Sequence, residues 1–193
     1  MYRTILGILF CIGLSCNAQN IIDWDGKYEL QREDFQSVAT QIGNTNLYSL
    51  HTAAHIDFSF YMSNAEFMFT RNFNSKVNCV FNKEASSLVA PNDEIAQDLV
   101  EFARYEFDLS ELYARKFRKK LYDEKSTFSG VSFVKPAFDE MQKEFNSRDT
   151  MAGKITDLGR NREELSKLRR EVLAEIEQLS DFCKTCKPAK KKK

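Results

Sequence analysis

An α+β fold, with a small antiparallel sheet packed on one long helix and two further helices, is what this sequence predicts. Three observations carry that reading. Ile56, Phe58, Phe60 and Met62 alternate with Asp57, Ser59 and Tyr61, the period of a strand with one buried face. Ile95, Leu99, Phe102 or Ala103, Leu109, Tyr113, Phe117 and Leu121 recur instead at helical spacing. The chain has 193 residues, 42% of them hydrophobic and 16 of them Phe, enough for one domain with a packed core.

In chain order, the first eighteen residues read as a secretory leader. Arg3 supplies the positive start, Ile5 to Leu14 the apolar centre, and Cys16-Asn17-Ala18 the small residues before a cut. Cleavage after Ala18 leaves Gln19 first. A lipoprotein reading competes, because Gly13-Leu14-Ser15-Cys16 partly resembles a lipobox that would place a lipid anchor on Cys16; glycine three residues before the cysteine makes it the weaker one. Either reading exports the chain, to a bacterial periplasm or beyond it. A single domain is expected over 19–182, followed by a Cys-containing basic tail over 183–193.

Trp24 to Lys27 suggest a turn and Tyr28 to Phe35 a short strand, with Gly43-Asn44-Thr45-Asn46 as a loop. After the alternating run at 56–62, Phe67, Phe69 and Phe73 continue the period past a Ser63-Asn64 turn. Val77, Cys79 and Phe81 continue it again, so three antiparallel strands are expected. Pro91-Asn92-Asp93-Glu94 starts the long helix, with Asn92 as N-cap, and the pattern runs from 93 to 122. Ser126 to Ser132 is a loop, and Pro136 opens a helix reaching about Ser147. The last helix, Asn161 to Phe182, has Leu165, Leu168, Val172, Ile176 and Leu179 as its stripe.

Lys and Arg number 28 and Asp and Glu 28, so no global charge argues for nucleic acid. No apolar run after the leader has the length of a membrane span, and the lysines at 190–193 read as a solvated tail. Beyond the leader the cysteines are Cys79, Cys183 and Cys186. An odd count in an oxidising compartment allows one internal bridge at most. Cys183-Lys-Thr-Cys186 lies where a helix ends, without the strand-then-helix setting of a redox motif, and reads first as a terminal staple. His51 and His55 are the only histidines. Four apart on a strand, they are separated by about 13 Å, too far to share a metal; a helical turn over 50–55 would instead allow an open, weak two-ligand site, and surface or strand-edge positions are the first expectation for both. No Gly-rich phosphate loop and no Gly-x-Ser-x-Gly elbow occurs.

The segment Glu101-Phe-Ala-Arg-Tyr-Glu-Phe-Asp-Leu-Ser-Glu-Leu-Tyr-Ala-Arg-Lys-Phe-Arg118 resembles the metal helix of a bacterial family of predicted secreted zinc-dependent proteases, zincin-like and otherwise uncharacterised. That helix reads His-Glu-x-x-His-Phe-Asp-(Ile/Leu)-x-Glu-x-x-Ala-Arg. Phe107-Asp108-Leu109, Glu111 and Ala114-Arg115 match it, and Arg118 matches the basic residues that follow it in the family, whereas Phe102, Ala103 and Glu106 stand at the first histidine, the glutamate and the second histidine. A second, partial likeness is the family's Trp-x-Asp-Phe, here Arg32-Glu33-Asp34-Phe35, with the aromatic lost to Arg32. A third is its Ser-Trp connection, here Ala85-Ser86-Ser87-Leu88. The third zinc ligand of the family lies in Thr-x-His-Gly before the last helix. Thr156-Asp157-Leu158-Gly159 matches with Leu158 at the histidine, and Thr150-Met151-Ala152-Gly153 is a competing alignment.

Two histidines four apart on a helix reach one Zn²⁺, and the glutamate between them activates the bound water. Phe102, Ala103 and Leu158 can do neither, and Glu106 alone offers one oxygen. The resemblance therefore implies a zincin-like fold without a zinc cofactor, and a pseudo-protease rather than an enzyme. A binding protein that keeps a groove between sheet edge and helix for a peptide or protein is the first expectation. A groove-free structural or envelope protein is the second, and a hydrolase using other residues the third.

Overall fold

The computed structural model describes residues 20–58, 63–70, 72–125 and 131–188; the leader, Cys16 and the lysines at 190–193 lie outside them. The architecture is α+β. Its centre is the long helix, with sheets against one side and two helices against the other.

Among the described residues, six short strands form two three-stranded sheets. β1 (Ile21–Asp23), β4 (Ala54–Phe58) and β5 (Val77–Asn82) make an antiparallel sheet in the order β1-β5-β4. Ile56 sits opposite Cys79 and Ile22 opposite Phe81. β2 (Gln41–Ile42), β3 (Ser49–His51) and β6 (Ser87–Ala90) make the other, in the order β2-β6-β3. This second sheet is mixed, because β2 runs parallel to β6. The sheets meet at a corner where β3 passes into β4 and β5 turns into β6. Buried Ser86 ties the corner: its hydroxyl donates to Asn82 O at 2.7 Å and accepts from Ala53 N at 3.0 Å.

Two expected strands are absent. Phe67 and Phe69 lie in a helix, α1 (Asn64–Phe69). The reason is local: the Ser63 hydroxyl accepts from Glu66 N at 3.1 Å, an N-cap in a Ser-x-x-Glu sequence. Phe67 and Phe73 then face the core while Phe69 is 82% exposed, so equal spacing along a strand was not what selected them. Met62 and Phe60 lie outside the described residues, and β4 pairs directly with β5. Tyr28 to Phe35 is likewise no strand. A 3₁₀ turn covers Arg32–Asp34, because the Asp34 carboxylate takes Gln31 N and the Tyr28 hydroxyl, both at 2.8 Å, and pairs with Lys83 at 3.0 Å. Leu30 and Phe35 bury on either side of it.

The long helix is α2 (Asp93–Glu124), with Asn92 Oδ1 capping Ile95 N at 3.0 Å as expected. It is buried on nearly all sides from Leu99 to Leu121, which a helix must be when both a sheet and a helix layer cover it. α3 (Val134–Thr156) runs past the expected end at Ser147, and α4 (Arg162–Gln178) starts on the expected Asn161 cap. Among the described residues no helix is long and apolar enough to cross a membrane.

Glu111 and Arg115, four apart on α2, form a buried pair rather than an exposed one. They belong to a buried triad with Arg118. Arg115 Nε and Arg118 Nη1 both donate to Glu111 Oε1 at 2.8 Å. Arg115 Nη1 reaches Ile176 O at 2.9 Å, giving a partner to a helix-end carbonyl. Arg118 holds Val77 O through Nε (3.1 Å) and Nη2 (2.8 Å) and Phe182 O through Nη1 (3.0 Å). One face of α2 thereby fixes the start of β5 and the end of α4. Asp108, also on that side, accepts from Trp24 Nε1 at 2.9 Å and pairs with Arg169 at 2.7 Å.

Candidate functional site

Positions 102 and 106 fall about 40° apart around α2, on the side roughly opposite the triad, at 100° per residue. The turn from α3 to α4 meets α2 there. Asp157 and Leu158 both have positive φ (51° and 52°) and Gly159 follows at 97°. Buried Thr156 holds the turn by donating to Ala152 O at 2.7 Å and accepting from Gly159 N at 3.2 Å. A Cβ on Gly159 would lie 2.3 Å from Asp98 O and 3.2 Å from Phe102 Cβ, so only glycine lets the turn press this closely on α2. One turn back, a Cβ on Gly153 would meet Leu158 Cδ2 at 3.5 Å and Phe102 Cζ at 3.6 Å.

Phe102 and Leu158 thus share one patch. Phe102 is 2% exposed and its ring lies 5.7 Å from that of Tyr105, while Leu158 is partly buried against the core. Ala103 is buried, with no group that could take a proton. The competing alignment puts Ala152 at the ligand position. Ala152 is buried inside α3, while Thr156 to Gly159 form the turn directly before the last helix.

Glu106 belongs to a small polar cluster that sequence reasoning did not foresee. It is partly exposed as a residue, but its carboxyl group turns inward. The Thr52 hydroxyl, at the β3–β4 corner, donates to Glu106 Oε2, and Asp149 of α3 lies beside it. Burial pushes the Glu106 carboxyl well above the usual range and Asp149 pushes it further, while the Thr52 bond pulls it down. Asp149 is raised too, first by burial, with the hydrogen bond from Glu106 opposing. The two carboxyls bond to each other, and one proton is shared between them. No signal in the sequence marks Asp149 or Thr52, since a mid-helix acid and a loop threonine are ordinary surface residues until the fold joins them.

Both folded-state values lie above those of free carboxyls, so the pair contributes its full stability below the ordinary carboxyl range. That contribution is lost as pH rises through the raised values. Glu106→Gln keeps a donor toward Asp149 and an acceptor for Thr52 without a proton to lose. Thermal melts from pH 4 to 9 are expected to show the variant gaining on the wild type as pH rises. A gap that stays constant with pH would remove the shared proton from the account.

Zinc does not fit this donor set. Glu106 and Asp149 are two carboxyls beside a neutral hydroxyl, whereas a catalytic zinc site is built from three His, Cys, Asp or Glu ligands with an open fourth position. Among the described residues no group of three or more His, Cys, Asp or Glu is placed to hold a metal ion. His51 ends β3 and His55 lies in β4, in different sheets and both exposed. Cys79 is a free, buried thiol, and Cys183 is bonded to Cys186.

Surface clefts that border α2 include the following three. One, of about 470 Å³, lies between α3 and α4 over Tyr105 and Tyr113, with Arg148 in its wall. A second, of about 620 Å³, runs between α4 and the start of α2. The third is a shallow lysine-rich depression near Lys120. None of the three has Phe102, Glu106 or Leu158 in its wall. Comparison with protein-family models, with curated proteins and with solved structures returns no match.

Proposed function

We propose that this chain is an exported, non-catalytic relative of the zincin-like metalloproteases that acts by binding a peptide or protein. The observation that supports the reading most is the meeting of Phe102, Glu106 and Leu158. These three positions stand for metal ligands in the resemblance, and they come from two distant segments. Phe102 and Leu158 both reach the Gly153 position, and Glu106 lies a turn away on the same side of α2. Apolar packing occupies what would be ligand space, and Ala103 removes the base. Binding would use the outer strands β3 and β4. They are joined through Thr52, which reaches Glu106, and a strand edge can hold an extended peptide by backbone hydrogen bonds alone.

A groove-free structural protein of the envelope is the second reading. It is favoured by the burial of Phe102, 2% exposed, at a position that would face a groove in the resemblance.

Metal analysis and reconstruction test the proposal together. Elemental analysis of the purified chain is expected to find no stoichiometric zinc, and proteolysis assays no zinc-dependent activity. The combined variant Phe102→His, Ala103→Glu, Glu106→His and Leu158→His is expected to take up one zinc per chain. One tightly held zinc in the wild type would overturn the proposal, and a folded fourfold variant that ignores zinc would overturn the register beneath it.

A further inference from the structure

The end of the chain is fastened to the core by side chains from distant elements. Cys183 and Cys186 form a disulfide, and Cys186 N closes a turn on Cys183 O at 3.0 Å. Asn72 Nδ2 donates to Cys186 O at 2.9 Å. Asn74 Nδ2 donates both to Cys186 O and to Asp181 O, each at 3.0 Å. Arg118 Nη1 takes Phe182 O at 3.0 Å, and the rings of Tyr122 and Phe182 stand 5.9 Å apart. Asn74 and Arg118 are each 1% exposed. If residues 181–186 lift, Asn74 loses both of these carbonyl acceptors and Arg118 loses Phe182 O, one of the acceptors of its Nη1. The bridge itself is reachable, because Cys183 and Cys186 are partly exposed, in contrast to Cys79 at 3%.

We propose that the Cys183–Cys186 bridge is a redox latch. Oxidised, it holds the carbonyls of Asp181, Phe182 and Cys186 over Asn74 and Arg118. Reduced, it lets residues 180–188 lift and uncovers a polar surface at the junction of α2 and β5. The reductant is a dithiol. One of its thiolates attacks a sulfur of the bridge, and its second thiol resolves the mixed disulfide. The dithiol leaves as its own disulfide, and Cys183 and Cys186 receive two electrons and two protons. Opening a ring of about four residues releases chain entropy equivalent to a roughly 20-fold shift toward the lifted state.

Hydrogen exchange of the full chain, read by mass spectrometry with and without a small dithiol, tests the latch. Expected on reduction is a roughly 20-fold faster exchange across 179–188, together with lost protection at Val77 to Cys79 and unchanged protection in the middle of α2. Peptide-mapped alkylation is expected to label Cys183 and Cys186 quickly and Cys79 slowly. Cys183→Ala with Cys186→Ala is expected to match the reduced state and ignore the dithiol. Exchange that is unchanged, or changed only at 183–186, overturns the proposal. So does equal labelling of Cys79, which means global unfolding, and so does a double variant that still responds to the dithiol.

Discussion

Glu111→Ala is expected to destabilise the protein by about 3–5 kcal/mol, the usual result of removing one partner from a buried ion pair. With whole-domain stability typically about 5–15 kcal/mol, that is a large fraction of the total. The loss comes chiefly from what remains. Arg115 and Arg118 would keep their charges within a few ångströms of each other, beside the carbonyls of Val77, Ile176, Leu179 and Phe182 and the ring of Trp24 but with no carboxylate of the triad left. Two consequences separate this from simple loss of packing. Arg118→Met in the Glu111→Ala background is expected to recover part of the stability, because it removes one unpaired charge. The damage is also expected to spread to the start of β5 and the end of α4, the two elements that Arg118 joins. Urea unfolding of the single and double variants measures the first, and hydrogen exchange the second. A Glu111→Ala cost under about 1 kcal/mol, the range of exposed pairs, would mean that the triad is not buried in solution.

Phe102→Ala is expected to cost a similar amount, about 3–5 kcal/mol, because a buried phenylalanine leaves a cavity that its neighbours fill only in part. Those neighbours are rigid here. Gly159 is pressed against Asp98 O, and Leu158 is held by left-handed backbone on both sides. Phe102→Leu, which keeps most of the volume, is expected to cost less than half as much. Denaturant midpoints of the two variants decide it, and equal small losses would place Phe102 outside the core. A destabilised Phe102→Ala beside a Glu106→Gln that gains on the wild type at high pH would distinguish a filled, apolar position from a titrating one on the same face of α2.

Much of this was legible because it is local. The Asn92 and Asn161 caps, the turn at Gly43-Asn44 and the stripes of α2 and α4 depend on residues within a few positions of one another. The sequence read them directly. The errors at 28–35 and 67–73 were local too: Asp34 and Ser63 each satisfy nearby backbone N–H groups in a turn or helix start. That competes with a strand whenever the run is this short. Ser63-x-x-Glu66 is the capping signal that marks the start of α1 in the sequence.

The sequence by itself determined the α+β class, the long helix, and which residues on it could not be zinc ligands, since side-chain chemistry does not depend on context. Only the tertiary structure decided what the other motif residues do. Glu111, Arg115 and Arg118 look like solvated charges on a helix, and become a buried clamp because sheet and helices cover α2 on both sides. The same holds for Glu106. Its spacing says only that it shares a face with Phe102. Its proton is set by Asp149 and Thr52, 43 and 54 positions away in sequence, and only chain folding brings such groups within the few ångströms over which carboxyls and hydroxyls shift one another.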